Sequence, residues 1–223
     1  MSKELMVAKN KLFSRKTRYL SIVAIVIGVA VGVGINAGVL PCFEYLLRKT
    51  PPHFIEDTWS RYWPGESNLS LRCPGPLSTK RLLVSEEFRS LIHSAELYEY
   101  DARTFVVLIS SIEHNDQLGV DLGTISDNMM ARISKRIRAA KRNYSKAPFS
   151  LSGRHALLAF ATFDKKWTQL NALGALVTDE DRIWQIFVYY HASDNVAEKV
   201  AQKVIGSIEI ETAPLESAKK PMC

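Results

Sequence analysis

The sequence predicts an α+β protein, in which an N-terminal transmembrane helix is followed by an α/β sandwich built on an antiparallel sheet. Three observations carry this prediction. No charged residue occurs between Tyr19 and Leu40. Segments rich in β-branched and aromatic residues recur between residues 92 and 191, with short polar turns between them. Two segments, one beginning near Asp121 and one near Asp194, carry apolar residues at helical spacing.

The uncharged run predicts a retained signal-anchor over residues 19–41. About twenty helical residues span the hydrocarbon core of a bilayer, whereas the apolar part of a cleaved secretory signal is usually about 7–15 residues long. A lipoprotein signal needs a small residue before its cysteine, and here Pro41 precedes Cys42. The run is therefore interpreted as a permanent single-pass anchor.

The basic residues are concentrated before this run. Residues 1–18 contain six lysines and arginines and only one glutamate, in a chain of net charge +6. Positive residues resist translocation, so residues 1–18 are predicted to be cytoplasmic and the C-terminal domain extracytoplasmic, or periplasmic in a Gram-negative cell. Nucleic acid is not an expected partner in that location.

Small residues recur four apart within the anchor. Gly28, Gly32, Gly34 and Gly38 form part of this stripe, which would let two helices approach closely in lipid. The stripe predicts helix packing and a possible homo-oligomer. The alternative is that glycine is simply common in membrane helices.

The remainder is predicted as three segments. Residues 42–65 form a juxtamembrane linker with a short amphipathic helix, HFIEDTWSRYW, which lies on the membrane or packs on the domain. Residues 66–211 form the extracytoplasmic α+β domain, and residues 212–223 a flexible tail. Within the domain we expect a strand Leu69–Cys73, two strands joined at Tyr100 and Asp101, a helix over 121–143, four strands, and a final helix beginning near Asp194.

This order of elements resembles the PsbP-like fold, which includes photosystem II PsbP and the DcrB-type envelope proteins. The resemblance covers roughly residues 66 to 211. It rests on the element order, on Cys73-Pro74-Gly75 after the first strand, and on the last helix running into Gly206-Ser207-Ile208. It implies a binding or assembly module and offers no catalytic motif. Pro41 departs from the lipoprotein signal of the DcrB-type branch.

The sequence predicts no catalytic residue, no metal site and no cofactor. It contains no P-loop, no GxGxxG and no GxSxG motif. Glu113, His114 and Asp116 could bind a metal weakly or lie in a solvated loop. Cys42 and Cys73 could pair in an oxidising space or remain unpaired thiols.

A basic cluster is the most distinctive feature of the predicted domain surface. It could attract anionic lipid headgroups or an acidic protein, or it could be a solvated face of the long helix. We predict protein binding by its six members, Arg132, Lys135, Arg136, Arg138, Lys141 and Arg142.

These observations predict a single-pass membrane protein whose extracytoplasmic domain binds or helps to assemble a membrane-associated complex. Two alternatives stay open at this point. One is an inner-membrane subunit of a secretion-type machine. The other is an enzyme, a hydrolase that uses the groove between sheet and helices.

Overall fold

The structure, a computed structural model, describes residues 48–65, 67–81, 92–115, 121–165, 167–179 and 181–211. Within these ranges the fold is built mainly from antiparallel strands. Three helices accompany them: α1 (His53–Glu56), α2 (Leu122–Arg136) and α3 (Asn195–Gly206). The strands are β1 (Ser60–Tyr62), β2 (Leu69–Cys73), β3 (Ser78–Arg81), β4 (Ile92–Asp101), β5 (Phe105–His114), β6 (Lys141–Leu151), β7 (Arg154–Lys165), β8 (Thr168–Thr178), β9 (Arg182–His191) and β10 (Glu209–Ile210).

The strands form two antiparallel sheets. The larger has seven strands in the order β3-β4-β5-β9-β8-β7-β6, and the smaller has three in the order β1-β2-β10. Each pair of neighbouring strands is antiparallel. Hairpins connect β6 to β9 in sequence, whereas β5 and β9 are neighbours that lie far apart along the chain.

The large sheet buries apolar side chains on both faces. Helix α2 packs over β6, β7 and β8, and Ile125, Met129 and Ile133 contribute to that core. On the opposite face, α3 packs against β8, β9 and β2, and Val200 and Val204 are fully buried there. Central strands are therefore almost entirely apolar, as in β9, where every residue from Ile183 to Tyr190 is buried and Gln185 is the exception in polarity.

The predicted fold class is wrong. The described chain is mostly β, with two antiparallel sheets and few helices, and is not the predicted α/β sandwich. No helix in the described ranges is long and apolar enough to cross a membrane. The run Tyr19–Leu40 and the stripe of Gly28, Gly32, Gly34 and Gly38 lie outside the described residues.

The helix predicted over 121–143 is shorter than expected. Helix α2 ends at Arg136, and β6 begins five residues later at Lys141. The apolar spacing that supported the helix continued to Ala140, but Ile137 is its last buried residue and Ala140 is exposed. Arg138 then adopts a left-handed backbone with φ 54°, which ends the helix and turns the chain toward the sheet.

Strand β6 was predicted only as the short segment PFSLSG, but it has eleven residues. It is an edge strand of the large sheet, and most of its described side chains are exposed. Its polar sequence therefore has no alternation of apolar residues to reveal it. Pro148 lies within β6 opposite Leu157, a position where the missing N–H must point away from β7.

The segment HFIEDTWSRYW does not form one amphipathic helix. Helix α1 ends at Glu56, and Ser60–Tyr62 pair with β2 as strand β1. Trp59 is buried, and its indole N–H donates to the carbonyl of Phe54 at 2.9 Å. The ammonium group of Lys203 in α3 lies 4.2 Å from the centre of the Trp59 ring. Residues 53–62 are thus packed against the domain.

Candidate docking surface at the tryptophan end of the sheet

One end of the large sheet collects four chain reversals. Strands β4, β7 and β9 finish there, and β5, β6 and β8 begin there. We call this the tryptophan end and define it by its turns: residues 102–104, 137–140, the two residues between Lys165 and Thr168, and residues 192–194.

Trp167 is the most exposed large apolar side chain among the described residues. It lies in the tight turn between β7 and β8, where Lys165 pairs with Thr168. Its exposure is 98%. An indole left in water loses the stabilisation that burial of its large apolar surface would provide. A fully exposed tryptophan at a turn is therefore typical of a contact surface.

The turn between α2 and β6 brings several of the predicted basic residues to this same end. Arg138 lies in the turn, and its N–H donates to the carbonyl of Lys135 at 3.2 Å. Lys141 begins β6 opposite Asp164, and Arg142 follows opposite Phe163. The six predicted residues therefore do not form one helix face: Arg132, Lys135 and Arg136 belong to α2, Arg138 to the turn, and Lys141 and Arg142 to β6.

Lys135, Arg138 and Arg142 are exposed, and none forms an ion pair with a described residue. The guanidinium of Arg142 lies 5.7 Å from the centre of the Tyr144 ring, a cation–π contact that leaves its charge available. Arg103, in the turn between β4 and β5, is also exposed at this end.

The chain enters the described domain at the tryptophan end. The backbone N–H of Thr50 donates to a carboxylate oxygen of Asp194 at 2.8 Å, and Thr50 is buried. The ammonium group of Lys49 donates to the carbonyl and, at 3.1 Å, to the hydroxyl of Ser193. Whatever precedes residue 48 is therefore joined to the domain beside the turn that carries Ser193.

The opposite end of the sheet differs in its charge. There Arg182 pairs with Glu113 at 3.0 Å, and Arg154 pairs with Asp179. Asp181 is exposed in the turn between β8 and β9. Arg154 and Arg182 at that end are thus paired with carboxylates, whereas Lys135, Arg138 and Arg142 at the tryptophan end are not.

A nucleophile with its activating groups is not assembled by the described residues. The hydroxyl of Ser193 lies 2.9 Å from Nδ1 of His191, but these residues are two apart in one turn, and the hydroxyl also accepts from Lys49. No described carboxylate hydrogen-bonds to the His191 ring. Catalysis would require a base oriented by a third group together with an oxyanion site. The contact instead stabilises the turn between β9 and α3.

The alternative that Glu113, His114 and Asp116 bind a metal weakly gains no support. Glu113 is engaged by Arg182 and by the Ser94 hydroxyl at 3.0 Å, His114 is buried, and Asp116 lies outside the described residues. No cluster of metal-ligating side chains occurs within the described ranges. Cys73 is an unpaired, buried thiol, and burial raises its pKa to about 12.

Ser110 and Gln185 form a buried polar pair on the α2 side of the large sheet. They are cross-strand partners on β5 and β9, and each is only 2% exposed. The Ser110 hydroxyl and both side-chain amide atoms of Gln185 have no hydrogen-bond partner. Without a base beside it, Ser110 is not an activated nucleophile.

A second apolar surface lies on the α3 side of strands β6 and β7. Phe149, Leu158 and Phe160 are each 37% exposed there. Helix α3 covers β8 and β9 and does not extend over this part of the sheet. No charged group lies among these three side chains to indicate what would cover them.

Sequence reasoning missed Trp167. The predicted strands ended at Asp164 and began again at Thr168, so the residue fell into an unassigned gap. The sequence KKW between two strands was the available signal, because turns favour glycine, asparagine and aspartate over a bulky aromatic residue.

Comparison with known proteins identifies no family. No protein-family model and no curated protein matches the chain, so the PsbP-like resemblance is not confirmed. Similar solved structures include a protein of unknown function from Pseudomonas aeruginosa, with 10% sequence identity and a TM-score of 0.38. The similarity covers 71% of this chain and 99% of that chain. LpqN of Mycobacterium tuberculosis, described as involved in cell envelope biogenesis, has 10% identity, coverages of 73% and 97%, and a TM-score of 0.35. The extracellular domain of PknH from the same organism has 10% identity, coverages of 73% and 92%, and a TM-score of 0.29.

Proposed function

We propose that the described domain is a binding module rather than an enzyme, and that it binds an anionic partner end-on through the tryptophan end. The observation that carries this proposal is the presence of exposed cations without ion-pair partners, Lys135, Arg138 and Arg142, at the same end of the sheet as the exposed Trp167. Such a surface attracts negative charge over about a Debye length, and its indole supplies apolar contact area at close range.

The wider setting of this module is also a proposal. The basic segment 1–18 and the uncharged run Tyr19–Leu40 support an anchored protein with the domain outside the cytoplasm, where it would act within a membrane-associated complex. Because the chain enters the domain at the tryptophan end, anchoring would hold that end, and not the opposite end, nearest to the membrane.

The test is retention of the full chain, in a neutral detergent, on immobilised poly-glutamate over a salt gradient. We expect Arg138→Glu/Arg142→Glu to elute at lower salt than the wild type. The matched control is Arg72→Glu/Lys199→Glu, which makes the same change in charge at exposed positions on β2 and α3. Both variants keep the basic residues 1–18, so the difference between them reports the location of the charge.

Equal shifts for the two variants would show that retention follows net charge alone, and the proposal would then be wrong. Thermal melting should change little in both variants, because exposed charges contribute little to stability.

A further inference from the structure

We propose that the anionic partner is a lipid surface, and that Trp167 inserts into the headgroup region while the surrounding cations contact anionic lipids. This inference rests on the proposed function and names the chemistry of the partner. Tryptophan is enriched at the membrane–water interface because its ring is apolar and its N–H stays hydrated.

The turn that carries Trp167 has the geometry for shallow insertion. It is a two-residue connection at the tip of a hairpin whose strands pair without interruption from Ala156–Val177 to Lys165–Thr168. A tip carried on continuously paired strands can place one indole in the interface without unfolding the sheet. Binding would cost this turn little conformational entropy, since the flanking backbone is already fixed by strand pairing.

The charges around the tip are arranged for the same contact. Lys165 immediately precedes the turn, and Arg138 and Arg142 lie on the adjoining strand and turn. Each cation near an anionic membrane strengthens binding by about fivefold. Because the cations Arg154 and Arg182 at the opposite end are paired with carboxylates, the domain has a preferred orientation, with the tryptophan end toward the lipid.

The entry point of the chain favours a lipid over an acidic protein. Residues 48–50 are held at the turn 192–194, on the same end as Trp167. The uncharged run Tyr19–Leu40 ends eight residues before Arg48. A short connection of this length keeps the tryptophan end close to any bilayer that holds the run, because an extended residue spans at most about 3.6 Å.

Tryptophan fluorescence of the full chain tests the inference. The protein is reconstituted into vesicles of brominated phosphatidylcholine, either alone or with added phosphatidylglycerol, because bromine quenches an indole only at close range. The chain has four tryptophans, all within the described residues, and Trp59 and Trp184 are buried. The uncharged run contains none and so adds no signal.

We expect quenching of the wild type in the vesicles with phosphatidylglycerol, and loss of that quenching in Trp167→Phe. The matched control is Trp63→Phe, which removes an indole that is 44% exposed and donates to Glu211. Trp63 lies away from the tryptophan end, because it precedes the Pro64-Gly65 turn, where the Gly65 carbonyl accepts from Arg182 at the opposite end. This control should keep the quenching. Arg138→Glu/Arg142→Glu should reduce it.

Quenching that survives Trp167→Phe, or a wild type that is not quenched in either vesicle, would overturn the lipid inference. If Trp167 is not quenched but the charge variants still weaken retention on poly-glutamate, the proposed function stands and the partner is an acidic protein. If the Arg138→Glu/Arg142→Glu variant and its Arg72→Glu/Lys199→Glu control also elute from poly-glutamate at the same salt concentration, both proposals fail.

Discussion

The carboxylate of Asp194 joins the start of the described chain to the start of helix α3: one of its oxygens accepts from the backbone N–H of Thr50 at 2.8 Å. The other oxygen accepts from the backbone N–H groups of Val196 and Ala197, at 3.2 and 3.1 Å. One buried side chain therefore caps the helix and fixes the point at which the chain enters the domain.

Replacing Asp194 by alanine should lower the free energy of unfolding by about 1–2 kcal/mol, because a helix cap is lost and the buried Thr50 N–H is left without an acceptor. Urea denaturation measures the change. Asp194→Asn is the control, since asparagine also caps helices well, and its loss should be smaller. An alanine variant as stable as the wild type would contradict this account of the contact.

Gly174 and Gly206 should respond in opposite ways to alanine. A Cβ at Gly174 would lie 2.2 Å from ring atoms of Phe187 and 2.7 Å from the Ile186 carbonyl, so Gly174→Ala should cost about 1–3 kcal/mol. A Cβ at Gly206, the last residue of α3, meets nothing within 4 Å, so Gly206→Ala should be neutral or stabilising by up to about 1 kcal/mol. Thermal melting of the two variants measures both changes, and an unchanged melting temperature for Gly174→Ala would contradict crowding against Phe187.

A substitution in the turn between β6 and β7 should stabilise the protein. Ser152 and Gly153 both have positive φ, 51° and 82°, as in a type I′ hairpin turn, where Asn-Gly is preferred. Ser152→Asn should therefore raise stability by about 0.5 kcal/mol. Ser150→Asn, at an exposed position within β6, is the control and should give no gain. An equal gain from both would point to a cause other than the turn.

Cys73 should resist alkylation in the folded protein. Burial raises its pKa to about 12, so almost no thiolate forms at about pH 8. In a Cys42→Ser/Cys223→Ser variant, where Cys73 is the remaining thiol, iodoacetamide should add mass only after denaturation. Labelling of the native protein at the rate of a free cysteine would show that strand β2 opens readily.

The sequence was informative where burial controls residue choice. Strands β5 and β9 were predicted because both are buried and rich in β-branched or aromatic residues. Helix α3 was predicted because Val200 and Val204 follow helical spacing after the cap at Asp194. The prediction failed for exposed elements, because their residues are not constrained by burial. In β6, where no described residue is fully buried, the backbone pairing with β7 overrides a sequence that resembles a basic helix end.

The same distinction explains the candidate surface. Lys135, Arg138 and Arg142 were singled out by their density in the sequence, which does not depend on the element that carries them. Their position at the same end as Trp167 depends on the pairing of β6 with β7, a long hairpin whose first three residues, 141–143, were assigned to a helix. Neighbours across that hairpin could not be identified until its register was known.

The two edges of the large sheet determine how the protein behaves when many copies are crowded together. Strand β6 carries Pro148, and β3, the other edge among the described strands, has only four residues. A proline offers no N–H to an incoming strand, and a short edge supports few new hydrogen bonds. Copies concentrated on one surface would thus stay separate instead of pairing edge to edge. The sheet of each copy would gain no strands from its neighbours, and the turn that carries Trp167 would stay accessible.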